Sequence, residues 1–159
     1  MRRLATPLAA LLLATNVATI AHAADTPPAA TTAQDPLAGA RALSADNKWA
    51  AAIEELQRVN ASGNADWNNL MGYSHRKAKS PDYAAAERYY DKALSLNPTH
   101  RGALEYSGEL FLMLGDLPRA EQRLAALDKA CFLPCEEYAD LKNAVARYKA
   151  NGNKVVATP

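Results

Sequence analysis

From Pro36 onward the chain reads as a succession of apolar stripes at helical spacing. Leu37, Ala40 and Leu43 open the series, and Trp49, Ala52, Ile53, Leu56 and Val59 form a second, fuller stripe. Apolar residues recurring in this way mark one buried helix face. Trp67, Leu70, Met71, Gly72 and Ser74 make the next face, followed by an alanine-rich segment from Asp82 that Asn97-Pro98 stops. Leu104, Ser107, Gly108 and Phe111 then share a side, as do Leu117, Ala120, Leu124 and Leu127, and finally Tyr138, Leu141, Val145 and Tyr148. The turn signals fall between the stripes: Asp46-Asn47, Ser62-Gly63, Gly115-Asp116 and Asn151-Gly152. Pro36 and Pro118 suit first helical turns, and Asp66 is the expected cap where the third helix starts. The spacing therefore predicts helices over about 36–45, 48–59, 66–77, 82–97, 100–114, 117–130 and 136–150, and no strand.

The second, fourth and sixth of these helices are copies of one pattern. Trp49, Tyr83 and Leu117 stand 34 residues apart, as do Ala52, Ala86 and Ala120, then Leu56, Tyr90 and Leu124, then Val59, Ala93 and Leu127. A period of this length marks stacked helix-turn-helix units. The glycines of the third and fifth helices, Gly72 and Gly108, are 36 apart, which puts about two extra residues in the turn at Lys77 to Pro81. On Leu70-Met71-Gly72-Tyr73, Tyr83, Ala86, Tyr90, Ala93 and Pro98, then Gly108, Phe111, Gly115-Asp116-Leu117, Ala120, Leu124 and Leu127, the chain resembles the tetratricopeptide repeat family. The run through Cys135-Glu136-Glu137-Tyr138 looks like small exported bacterial members of it. Three positions depart from the family pattern: His75 replaces an aromatic, Phe132 replaces the closing proline, and the first helix is short. The resemblance implies an all-α, right-handed superhelix of antiparallel helix pairs with a C-terminal capping helix. Its units lie at about 36–64, 65–98 and 99–132, with the cap at 135–150. The Asp82–Pro98 segment is expected to be the middle rung, buried on both sides.

Composition narrows the setting. The chain has 159 residues with 18 basic and 17 acidic side chains, so it holds one domain and lacks the basic excess of a nucleic-acid binder. Arg2-Arg3, the apolar run Leu8 to Ala14 and Ala21-His22-Ala23 read as a secretory signal peptide over 1–23. A retained anchor is the alternative. The Pro- and Ala-rich segment 24–35 is expected to be a disordered leader, and 151–159 a flexible tail. After cleavage no membrane span is expected.

Cys131 and Cys135 are the sole cysteines. In an exported chain such a pair points to one disulfide, bent together by Pro134 and setting the angle of the final helix. A thiol redox or metal-binding role is the alternative, disfavoured because the spacing is not Cys-x-x-Cys and two thiolates are too few for a structural zinc. His75 and His100 lie on different helices with no nucleophile motif beside them, so no enzyme activity, catalytic residue, metal or cofactor is expected.

What remains is a binding surface. In the family the first helix of each unit lines a concave groove. The resemblance places Asn69, Tyr73, Arg76 and Lys77 there, beside Glu105, Glu109, Leu112 and Met113. This implies a basic edge, an acidic edge and an apolar patch, suited to a peptide or protein partner of mixed charge but repellent to a peptide carboxylate. The implied function is a protein-interaction module or scaffold. Self-association through the first unit is a further expectation, because its opening helix is short.

Overall fold

The structure, a computed structural model, describes residues 35–155. The signal-peptide reading of 1–23, the leader up to residue 34 and the tail from 156 lie outside the described residues. Those described form seven helices and no strand: α1 Ala38–Ala45, α2 Trp49–Val59, α3 Ala65–Lys77, α4 Tyr83–Leu96, α5 Arg101–Met113, α6 Leu117–Ala130 and α7 Glu136–Ala150. They pack in consecutive pairs, the all-α helical repeat that the resemblance implies.

Local chemistry sets the helix ends. The side chains of Asp82 and Asp116 accept from the backbone N–H of Ala85 and Arg119, and His100 Nδ1 accepts from that of Ala103. These acceptors satisfy donors that the first turn leaves free. The start of α3 differs from the sequence expectation: Asn64 is its cap, accepting from Trp67 N at 3.0 Å. Asp66 lies one turn-position inside the helix, and its carboxylate instead receives Arg41 at 3.2 Å and His100 Nε2 at 2.8 Å. Because His100 Nδ1 accepts from Ala103, its proton sits on Nε2, which donates to Asp66 and ties the third unit to the second. Asp35, placed with the leader by composition, accepts from Leu37 N and from Arg41 at the start of α1.

The repeat positions are the packing positions. Ala52, Ala86 and Ala120 are each fully buried, while Trp49, Tyr83 and Leu117 half-cover the junctions around them. Gly72 lets α4 come close: a Cβ there would stand 2.7 Å from the Tyr90 ring and 3.1 Å from the Ala86 carbonyl oxygen. At Gly108 the neighbour is α7, with a Leu141 methyl 2.5 Å from where a Cβ would be. The turn between α3 and α4, residues 78–82, is two residues longer than the 114–116 turn between α5 and α6, where the extra residues were expected. His75 stacks on the Tyr89 ring, with centres 5.4 Å apart.

Burial on both sides belongs to α5. Ala103, Leu104, Glu105, Ser107, Gly108, Leu110, Phe111 and Leu112 are all buried, because α3, α4, α6 and α7 surround this helix. α4 buries only Ala85, Ala86, Tyr90 and Ala93 and exposes Arg88, Asp91 and Lys92 to solvent. The expectation for Asp82–Pro98 is thus corrected. A second helix of a unit meets neighbours on one face, whereas a first helix is covered by its own partner and by the first helices on either side. No helix among the described residues is long and apolar enough to cross a membrane.

Candidate functional site

The first helices of the units, with α7 as the last in their series, line a groove of about 610 Å³. Three helices supply its walls at steps that keep side chains on one face. α3 presents Tyr73, Arg76 and Lys77; α5 presents Glu105, Tyr106, Glu109, Leu112 and Met113; α7 presents Ala144, Arg147 and Tyr148. Lys154 and Val155, beyond the Asn151-Gly152 turn, close one edge.

At the centre lies Arg76, only 7% exposed and paired with Glu109 at 2.8 Å. Its guanidinium stands 5.4 Å from the Tyr73 ring centre and 5.6 Å from that of Tyr106, within cation–π range. Nη1 also reaches the Met113 sulfur at 3.9 Å. The two tyrosines touch each other, with centres 4.6 Å apart, and Trp49 of α2 meets Tyr73 edge-on at 5.5 Å. Burial works against the Arg76 charge, and the proximity of Tyr90 and Glu109 outweighs it, so the group stays cationic. Arg76 is a structural cation whose charge is already answered.

Of the expected acidic edge, Glu109 is paired with Arg76 and Glu105 is nearly closed off from solvent. Glu105 is 7% exposed, and burial, then the charges of Glu109, Asp140 and Glu137, push its carboxyl up to about 8. Burial, with Glu105 and Tyr73 nearby, likewise pushes the Tyr106 hydroxyl up to about 12. With Glu109 engaged by Arg76 and Glu105 nearly closed off from solvent, the unpaired cations of the groove are Lys77, Arg147 and Lys154. None of these makes an ion pair among the described residues. The groove is therefore cationic, with tyrosine faces and the apolar side chains of Leu112, Met113 and Val155.

Tyr73, Arg76, Lys77, Glu105, Glu109, Leu112 and Met113 are thus brought together, and Asn69 is not. Asn69 is buried between α3 and the start of α5, its Nδ2 3.1 Å from where a Cβ on Gly102 would be. The sequence reading missed the α7 wall by treating that helix only as a cover. A signal was present: one further step of 36 residues carries Leu112 onto Tyr148.

The Cys131 and Cys135 sulfurs stand at disulfide distance, with Cα atoms 5.9 Å apart. The loop they close holds Phe132, 99% exposed, and Leu133, 71% exposed. Among the described residues no group of three His, Cys, Asp or Glu side chains is arranged to hold a metal ion.

Residues 78–148, from the end of α3 through most of α7, match the family model described as tetratricopeptide repeat. No curated protein and no solved structure matches the chain.

Proposed function

We propose, for a chain that carries tetratricopeptide repeats over residues 78–148, that the groove between α3, α5 and α7 holds a segment of a protein partner. The repeats make the chain a protein-interaction module in general, and stacked repeats offer their concave face for binding. One observation supports the finer reading. Three unpaired cations, Lys77, Arg147 and Lys154, stand around tyrosine faces and an apolar floor in a groove of about 610 Å³. Rigid aromatic side chains contribute contact area at low entropic cost, and unpaired cations steer an anionic segment. The preferred partner segment therefore pairs acidic groups, a chain-terminal carboxylate among them, with one or two large apolar side chains.

Lys77 and Arg147 are exposed, so Lys77→Glu with Arg147→Glu tests the groove without disturbing the core. Partner capture by the full chain should be lost while the melting temperature is unchanged. Capture that survives both charge reversals would sink the reading.

We also propose that the protein acts outside the cytoplasm. The signal-like pattern of residues 1–23 and the Cys131–Cys135 bond support this, since disulfides persist in oxidising compartments. Cell fractionation with thiol labelling checks it: a cytoplasmic protein with two free thiols would refute it.

A further inference from the structure

We propose that the Phe132–Leu133 tip of one copy seats in the groove of a second copy, joining chains head to tail. The inference rests on the groove reading above and names its occupant.

The tip is built for display. Of the large apolar side chains exposed in the described residues, Phe132 at 99% and Leu133 at 71% are the most exposed, and they are adjacent. Both sit between α6 and α7 in a short loop whose ends are held together at Cys131 and Cys135, with Pro134 restricting its backbone. A bridge spanning so short a loop contributes less stability than one closing a long loop. Its larger consequence is to hold two apolar side chains ready in water, which lowers the entropy lost on docking. Exposed apolar side chains grouped in this way mark interaction sites.

The occupant follows from charge. Asp128, Glu136 and Glu137 flank the tip against Arg101 and Lys129, with Arg101 3.6 Å from Glu137. An apolar tip beside a small acidic excess, one charge net, suits a cationic, tyrosine-lined groove, and the molecule carries that groove itself. A chain does not fill its own groove. The tip precedes α7, while Arg147 and Tyr148 lie in its last turns, about 20 Å further along the helix. The contact is thus between different patches on two copies, and such a contact repeats along a growing chain unless its geometry closes a ring.

Sedimentation of the full chain over a wide concentration range tests the proposal with two sets of surface changes. Phe132→Ser with Leu133→Ser removes the tip, and Arg147→Glu with Lys154→Glu reverses the groove. The unaltered chain should gain mass with concentration, and each variant alone should associate about tenfold or more weakly. An equimolar mixture of the two variants should form dimers and stop there, since it contains one working tip and one working groove. A chain that stays monomeric throughout overturns the proposal, as does association that both variants retain. Flotation with neutral phospholipid vesicles that depends on Phe132 would make a lipid surface the occupant and overturn it too. If the unaltered chain is monomeric while the Lys77→Glu and Arg147→Glu changes still abolish partner capture, this inference fails and the groove reading stands.

Discussion

At the N-terminal end of the stack, Leu37, just before α1, and Ala40 of α1 pack with Leu56, Trp67 and Met71, and no large apolar side chain of α1 or α2 is left exposed. At the C-terminal end, α7 covers α5 and α6 with Leu141, Val145 and Tyr148, yet Met113, Leu114, Phe132, Leu133 and Val155 remain exposed nearby. Both ends solve the same problem of hiding the open face of a helix pair. Even the shortened first unit does so. The C-terminal apolar surface is therefore not a cost of ending a stack, and it is where the groove and the loop tip lie.

The sharpest way to break this comparison is to remove one leucine at each end. Leu141→Ala and Leu37→Ala, both at nearly fully buried sites, should each destabilise by about 2 to 5 kcal/mol in denaturant titrations. Partner binding separates them: at temperatures where both variants are folded, Leu141→Ala should weaken it because α7 forms a groove wall, and Leu37→Ala should not. Equal binding losses would contradict the assignment of function to one end.

A smaller effect distinguishes the two glycines. Gly72→Ala drives a Cβ against the Tyr90 ring and the Ala86 carbonyl, neither of which can yield, and should cost about 1 to 3 kcal/mol. Gly108→Ala meets the Leu141 side chain alone, with no ring or backbone atom in the way, so its melting temperature should fall less. The reverse order would mean that α7 is held more rigidly than α4.

The mildest test is pH. Glu105 is raised from 4.5 to about 8 in the folded chain, so between these values the folded state binds more protons than the unfolded state. Its contribution to stability is full below the unfolded value and is lost as pH rises through about 8. Glu105→Gln should remove that part of the decline, seen as a flatter dependence of melting temperature on pH from 5 to about 9. An unchanged slope would show that Glu105 is ionised at neutral pH and that the groove has an acidic edge after all.

Much of the architecture was legible because it depends on neighbours in the chain. Ala52, Ala86 and Ala120 and the stripes around them placed all seven helices, and adding the extra residues at Lys77 to Pro81 located the long turn. The groove was legible in part, since positions at helical spacing on α3 and α5 share a face wherever those helices go. Less visible were contacts set by partners distant in sequence. Asp66 looks like a cap until Arg41 and His100 are seen on its carboxylate, and Arg147 looks like a solvent-facing residue until α7 is seen to extend the groove.

The sequence by itself determined that this is a stack of helix pairs, because periodicity and small residues at fixed intervals dictate which faces must be buried. Only the tertiary structure decided the charge of the groove. Ionisation answers to burial and to the distance of other charges, and for Glu105 these are set by Glu109 on its own helix and by Glu137 and Asp140 on α7. The same holds for Arg76, neutralised by Glu109 from another unit. A surface that reads as mixed in the sequence thereby becomes a cationic one in the fold.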